Sequence, residues 1–368
     1  AACTQRAFEK VMGDSDKNSP GKTSAFFDQF VLRTKEITDK NNFSNTFGEH
    51  YNEEDSEEGE YEDAEDDTPT YARGQTNPYM PGGNYPTAEK YLLLVVRDLE
   101  SSTTRELFDQ MMRFLSLLIP SGTFGPIEIV KAQRTADWYT QRQTRVTASN
   151  FGVLCKRRTM EPPETMDKLV HNTLNPGKFT SPATDYGTKN ESKARDEYVV
   201  TTGNFVSETG FWTRSETPWM GGSPDGLVTD RKSKENGLLE IKCPYSARSM
   251  TIKQYNESYK SSYLEPQPNG LFKLKRNHNY YYQIQGCLYL LNMNWCDFVV
   301  WTEKDIHIER INRDQPFIDS MIPKLAELYC RFLLPSLASG SHRDSVPTYK
   351  LLSKQVYTEK FKSLLSTL

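Results

Sequence analysis

The density of apolar positions changes near residue 88, where the first long run of aliphatic side chains begins. Residues 41–87 are instead rich in Asn, Gly, Pro and acidic residues. Such a composition buries too little apolar surface to offset the entropy lost on ordering, so we predict a disordered linker there. Within residues 1–40, apolar side chains recur at helical spacing between Thr23 and Thr38, which predicts a short helix that packs on the body or binds a partner.

Residues 88–126 are predicted to form a helical extension. An apolar stretch is followed by a Ser-Ser-Thr-Thr break, whose hydroxyls can cap a helix, and then by a broad apolar stripe. The stripe predicts a buried helix in which Met111 and Met112 fill core space and bind no ligand.

The region from residue 127 alternates between helical and strand-like periodicity. Helices are predicted over 128–143, after 147, over 163–173, 184–201, 249–263 and 278–292, and from 316. Strands are predicted over 204–214, 219–230, 237–243, 295–303 and 305–312. This order predicts an α/β (α+β) domain over residues 127–340, with a central mixed β-sheet flanked by helices, and a C-terminal tail over 341–368.

Charge and composition narrow the class of protein. Residues 53–67 hold eleven acidic side chains and no basic one, so the formal charge of −4 becomes +7 when they are left out. An acidic leader thus precedes a mildly basic body. No uncharged stretch is long enough to cross a bilayer, and six cysteines without a CxxC pair argue against a disulfide framework or a zinc ribbon. We expect a reducing intracellular compartment, nucleus or cytoplasm, although the start at Ala1 gives absent targeting signals little weight.

Residues 221–244 carry the candidate chemistry. If the two strand-like runs there form a hairpin, Asp225 lies beside the strand that bears Glu240 and Lys242, and alternation directs Ile241 to the opposite face. Two carboxylates form an oxygen-ligand site for a hard divalent cation, Mg²⁺ or Mn²⁺. Phosphodiester hydrolysis needs such a metal, and Lys242 would orient or deprotonate the attacking water and stabilise charge. Each fragment alone is more typical of an ordinary turn or of a strand with solvated charges, whereas the ordered pair is more specific to a metal site.

The Pro-Asp-Gly turn followed by Glu240-x-Lys242 resembles the restriction-endonuclease-like PD-(D/E)xK nuclease core. It is most similar to the family of lambda exonuclease and YqaJ-like viral recombinases. Residues 187–195 match the Gly-x-x-x-Glu-x-x-Ala-Arg helix of that family, which makes Glu191 a candidate for the metal site. The resemblance covers roughly residues 134–312.

Two further motifs extend the resemblance. Arg142, Thr147 and Ser149 fill a pattern, opened by Trp138, that binds the 5′ phosphate of DNA in the family. An Arg fork and a hydroxyl near a helix N-terminus suit a phosphate, although a surface charge and helix caps are the structural alternatives. Gln283 lies in the expected tyrosine-rich helix, where a buried amide needs a partner, either backbone or the lysine and attacking water.

The resemblance implies a metal-dependent exonuclease that resects duplex DNA from its ends, 5′ to 3′, in recombination or DNA processing. Asp225, Glu240 and the carbonyl of Ile241 would hold the principal Mg²⁺ or Mn²⁺, Glu191 would support the site or a second ion, and Gln283 would assist catalysis. Its implied partners are duplex DNA ends, further copies of the chain in a ring-shaped trimer, and a single-strand-annealing or other protein at the N-terminal region.

Three alternatives stay open. An endonuclease would use the same core, and a catalytically silent DNA-binding or recombination scaffold would keep only the fold. In the third, the acidic leader defines the role, by recruiting a basic partner or by screening the DNA channel. Basic clusters at residues 156–158 and 273–276 are predicted equally well as a phosphate track or as a solvated face, and the tyrosines at 280–282 as packing groups.

Overall fold

The structure is a computed structural model that describes residues 110–111, 113–118, 124–157, 169–170, 172–173, 181–259 and 262–339. The candidate helix at Thr23–Thr38, the acidic linker and the C-terminal tail lie outside these residues, so the predicted domain boundaries stay predictions. Of the extension at 88–126, residues 110–111 and 113–116 are helical, and Met111 is fully buried, as predicted for a core side chain. No helix in the described part of the chain has the length and apolar character needed to cross a membrane.

Seven α-helices have both ends within the described residues. They are α1 (Ala136–Gln143), α2 (Phe151–Cys155), α3 (Pro182–Thr202), α4 (Ile252–Ser258), α5 (Asn279–Leu291), α6 (Gln315–Leu328) and α7 (Leu334–Ser339). Hydrogen bonding and backbone conformation set both ends of α3. In α3 the Ser181 hydroxyl accepts from the amide of Thr184, and Gly203 ends the helix in the left-handed conformation at φ 70°.

Eleven strands are described, in three sheets. They are β1 (Pro126–Val130), β2 (Val146–Thr147), β3 (Phe205–Ser207), β4 (Phe211–Arg214), β5 (Thr217–Gly222), β6 (Gly226–Thr229), β7 (Asn236–Lys242), β8 (Leu264–Pro266), β9 (Phe272–Leu274), β10 (Trp295–Trp301) and β11 (Ile306–Asn312). One sheet has the order β1-β4-β5-β2, the largest has the order β11-β10-β7-β6-β3, and β8 pairs with β9.

The five-stranded sheet is mixed and is covered on both faces. Strand β7 runs parallel to β10 and antiparallel to β6. Leu238 of β7 belongs to the larger core, which includes α5 and α6, whereas Leu239 and Ile241 belong to a second core with Ala194 and Tyr198 of α3. A strand buried on both faces carries a nearly continuous apolar run, as β7 does. This arrangement confirms the predicted α/β class, with helices flanking a mixed sheet.

The start of one helix and the extent of two strands were predicted wrongly, and one hairpin was missed. The helix expected from residue 128 begins only at Ala136, because residues 126–130 form β1 and pair with β4. The runs 204–214 and 219–230 are not single strands, since each divides between the four-stranded and the five-stranded sheet. The β8–β9 hairpin was not predicted. The break between β5 and β6 matters most, because it places Asp225 immediately before β6.

Candidate active site

The β6–β7 hairpin positions Asp225 beside the strand that carries Glu240. The two strands pair antiparallel with Gly226 opposite Leu239, as the sequence predicted. The amide of Asp225 donates to the Leu239 carbonyl at 2.9 Å. In return, the amide of Ile241 donates to Oδ2 of Asp225 at 2.7 Å. The first bond fixes the backbone of Asp225, and the second fixes its carboxylate beside β7.

Glu240 is the most enclosed acid of the site. Its residue is 2% exposed, and its Oε1 atom accepts from the Gln283 amide of α5 at 2.6 Å. The same oxygen lies 2.9 Å from Nζ of Lys242. Gln283 was expected to bond either to backbone or to the lysine and attacking water. The structure gives it Glu240 as a partner, so Gln283 orients a candidate metal ligand.

Lys242 lies between the carboxylates and an aromatic ring. Its Nζ atom is 4.3 Å from the centroid of the Tyr280 ring, which adds a cation–π contact to the ion pair with Glu240. Burial by itself lowers the pKa of Lys242, but Glu240, Tyr280 and Asp225 outweigh it and place that pKa well above its usual value. In the ligand-free protein, Lys242 is a cation.

Negative charge accumulates around Asp225. Burial, Glu240 and Glu191 together raise the pKa of Asp225 well above its usual value, in that order of importance. Buried carboxylates that destabilise one another in this way fit a divalent cation, which would relieve their repulsion, and their hard oxygen atoms suit Mg²⁺ or Mn²⁺. Within the described ranges no three His, Cys, Asp or Glu side chains already form a metal-ligand group. The two carboxylates would thus need main-chain or solvent oxygens beside them.

Glu191 lies close enough to affect Asp225, but both of its oxygens are paired. Oε1 accepts from Arg195 at 3.0 Å, one turn further along α3, and Oε2 accepts from Arg134 at 2.8 Å. Arg195 also donates to the main-chain carbonyl of Asp225 at 3.1 Å. Sequence reasoning placed Glu191 at the site and missed both arginine contacts. Arg195 belonged to the recognised motif, whereas Arg134 lies in a loop whose conformation has no sequence signature.

The residues predicted to bind phosphate also come together. Nη2 of Arg142 lies 3.5 Å from Oγ of Ser149, and that hydroxyl is 3.2 Å from Oγ1 of Thr147. The Arg142 guanidinium stacks on Trp138, 4.2 Å from the ring centroid, and the indole of Trp138 donates to Ser223 at 2.8 Å. Since Ser223 precedes Asp225 by two residues, one turn links the cluster predicted to bind phosphate to the carboxylates.

The sequence predicted packing for the tyrosines of α5 and left two roles open for the basic clusters. Tyr281 and Tyr282 make edge contacts with Phe317, and Tyr280 packs against Tyr263, which confirms packing as their role. Among the basic residues, Arg276 forms an ion pair with Asp314.

Known proteins resemble parts of this chain in sequence and in structure. Residues 137–293 match the family model of the YqaJ-like viral recombinase domain. Among solved structures, an alkaline exonuclease from Laribacter hongkongensis is 26% identical, with a TM-score of 0.42 over 57% of this chain and 98% of that one. A phage-related exonuclease from Haemophilus somnus 129PT is 16% identical, with a TM-score of 0.37 over 53% of this chain and 96% of that one.

The shutoff and exonuclease protein of Kaposi's sarcoma-associated herpesvirus is 9% identical, with a TM-score of 0.34 over 72% of this chain and 83% of that one. No curated protein sequence matches the chain. The family match confirms the resemblance inferred from the sequence motifs, and it supports a function in recombination.

Proposed function

We propose that this chain, which carries a YqaJ-like viral recombinase domain over residues 137–293, is a DNA exonuclease that depends on Mg²⁺ or Mn²⁺. One observation carries the proposal. The hairpin that pairs Asp225 with the strand of Glu240 and Lys242 is bonded, through Ser223 and Trp138, to the cluster of Arg142 and Ser149. Carboxylates that suit a divalent metal therefore adjoin a cationic group that suits a terminal phosphate.

Each residue of the site would have a separate role in hydrolysis. Asp225, Glu240 and the carbonyl of Ile241 would hold the principal metal, with Glu191 in support. When bound, the metal would supply charge neutralisation and a water of lowered pKa. Gln283 orients Glu240 through its amide. Lys242 carries a positive charge in the ligand-free site, so it suits orientation of the water and stabilisation of charge on the phosphorus oxygens.

Arg142 and Ser149 would select DNA ends over internal positions. An Arg fork reaches a terminal phosphate with two hydrogen bonds, and stacking on Trp138 holds the guanidinium plane in place. An internal phosphodiester offers fewer free oxygens to the same cluster. This difference is the physical basis for proposing an exonuclease and for keeping the endonuclease as the second candidate on the same core.

The test is the degradation of linear duplex DNA with a labelled 5′ phosphate, in Mg²⁺ and in chelator, with covalently closed circles alongside. We expect the wild-type chain to degrade only the linear DNA and only with metal. Lys242→Met should lose at least about 100-fold in rate, the scale measured when one charge-stabilising group is removed from an active site. Binding without cleavage in either metal would identify a silent scaffold.

The same assay separates exonuclease from endonuclease through Arg142→Ala. For an exonuclease, this variant should lose its preference for 5′-phosphorylated over 5′-hydroxyl ends while still cutting both. Circular dichroism of each variant checks that the fold is retained. Cleavage of closed circles by the wild type, with Arg142→Ala unaffected, would favour the endonuclease.

A further inference from the structure

Arg134 has an unusual backbone for an arginine. It lies in the loop between β1 and α1 at φ 62°, in the left-handed region that non-glycine residues seldom adopt. Its neighbours hold it there. Nε2 of Gln133 donates to the carbonyls of Thr209 and Pro224 at 3.0 and 2.9 Å, and the Thr135 hydroxyl caps α1. The loop is therefore fixed to the turn that carries Asp225, and it holds Arg134 in a strained conformation.

Arg134 and Arg195 bind the same carboxylate in different ways. The Arg195 side chain is 19% exposed and contacts Glu191, Glu208 and the Asp225 carbonyl. The Arg134 side chain is 49% exposed, and its guanidinium contacts Glu191. An exposed ion pair contributes little to stability, because solvent screens it. Arg134 can therefore leave Glu191 at small cost, and Glu191 keeps Arg195 as its counter-charge.

We propose that Arg134 is a mobile DNA-binding residue, which pairs with Glu191 in the free protein and moves to a backbone phosphate of the DNA that enters the site. The inference rests on the proposed function, since it needs a DNA strand beside Asp225. It adds a phosphate contact beside Glu191 of α3, separate from the contacts of the cluster of Arg142 and Ser149. The exchange also frees Oε2 of Glu191 when substrate is bound.

The test measures binding of the full chain to duplex DNA by fluorescence anisotropy, in chelator so that nothing is cut, between 50 and 200 mM salt. Arg134→Gly is the informative variant, because it removes the side chain and its charge, and glycine accepts the left-handed backbone. Log affinity falls as log salt rises, and loss of one phosphate contact should make this negative slope shallower by about 0.9. The ratio of wild-type to variant affinity should then be about 3.5-fold larger at 50 mM than at 200 mM.

Two controls separate this effect from a general loss of charge. Lys234→Gly removes a cation from another left-handed position, at φ 63° in the turn at the far end of the hairpin, and it should leave the slope unchanged. Arg134→Lys keeps the charge and should retain the wild-type slope. An unchanged slope in Arg134→Gly, with wild-type DNA binding intact, would overturn the inference and leave Arg134 as a fixed partner of Glu191. Absence of DNA binding by the wild type would instead overturn the proposed function as well.

Discussion

Individual side chains at the site differ in how their charge is compensated. Glu240 accepts from both Gln283 and Lys242, so protein groups already satisfy one of its oxygens. Asp225 is fixed by the amide of Ile241, and Glu240 and Glu191 both disfavour its charged form. The two carboxylates thus have separate physical roles, because Glu240 is oriented by Lys242 and the Gln283 amide, whereas Asp225 is the carboxylate whose charged form its neighbours disfavour.

His278 gives a residue-scale prediction about stability. Its Nδ1 atom accepts from the amide of Tyr280 at 3.2 Å and caps α5, which requires that nitrogen to be unprotonated. Burial, and then Lys156, Lys242 and Lys275, lower the pKa of His278 to about 3. An unfolded histidine titrates near 6.5, so below that pH the unfolded chain takes up a proton that the folded chain does not, and stability falls as pH falls.

We expect this histidine alone to reduce the free energy of unfolding by about 1.4 kcal/mol between pH 7.5 and 5.5. His278→Asn keeps a side chain suited to helix capping and removes the titration. Urea unfolding of both proteins at the two pH values measures the difference, since all other titrating groups are shared. If the stability of both proteins changed equally with pH, His278 would take up a proton as readily in the folded protein as in the unfolded chain, contrary to the expectation.

At the scale of elements, helix α5 carries Gln283 to the site and must approach α2 closely. A Cβ atom built on Gly286 of α5 would lie 2.4 Å from two ring carbons of Phe151, a fully buried residue of α2. Gly286→Ala should therefore destabilise the protein by about 1–3 kcal/mol through overpacking, although alanine is the better helix former.

Gly187 in α3 is the matched control for that substitution. A Cβ atom built there meets nothing within 4 Å. Gly187→Ala should stabilise by about 0.5–1 kcal/mol, since only helix propensity changes. Urea unfolding of both variants checks the opposite signs. A gain in stability for Gly286→Ala would mean that α5 and α2 are less tightly packed than the contact with Phe151 indicates.

Elements also show what sequence reasoning could and could not predict. The β6–β7 hairpin was predictable, because alternation and an Asn-Gly turn signal are local features of the chain. The division of residues 204–214 and 219–230 between two sheets was not, because pairing partners are set by packing across the molecule. The same limit applies to Arg134, since its contact with Glu191 joins residues 57 positions apart.

At the scale of the whole molecule, charge is distributed unevenly along the chain. The acidic segment at residues 53–67 precedes a body of net positive charge, and it lies outside the described residues. The oligomeric state, the N-terminal protein partner and the intracellular compartment stay predictions. The segment itself can be tested, because a polyanion tethered to a DNA-binding body competes with DNA for the same cations.

Deletion of residues 1–87 should tighten binding to duplex DNA at low salt if the acidic segment screens the basic surface. The Debye length is about 30 Å at 0.01 M and about 10 Å at 0.1 M ionic strength, so the gain in affinity should shrink as salt is added. A full-length variant with the eleven acidic residues changed to Asn or Gln separates charge from chain length. Equal affinities for all three proteins across the salt series would exclude screening, and would leave recruitment of a basic partner as the role to test for this segment.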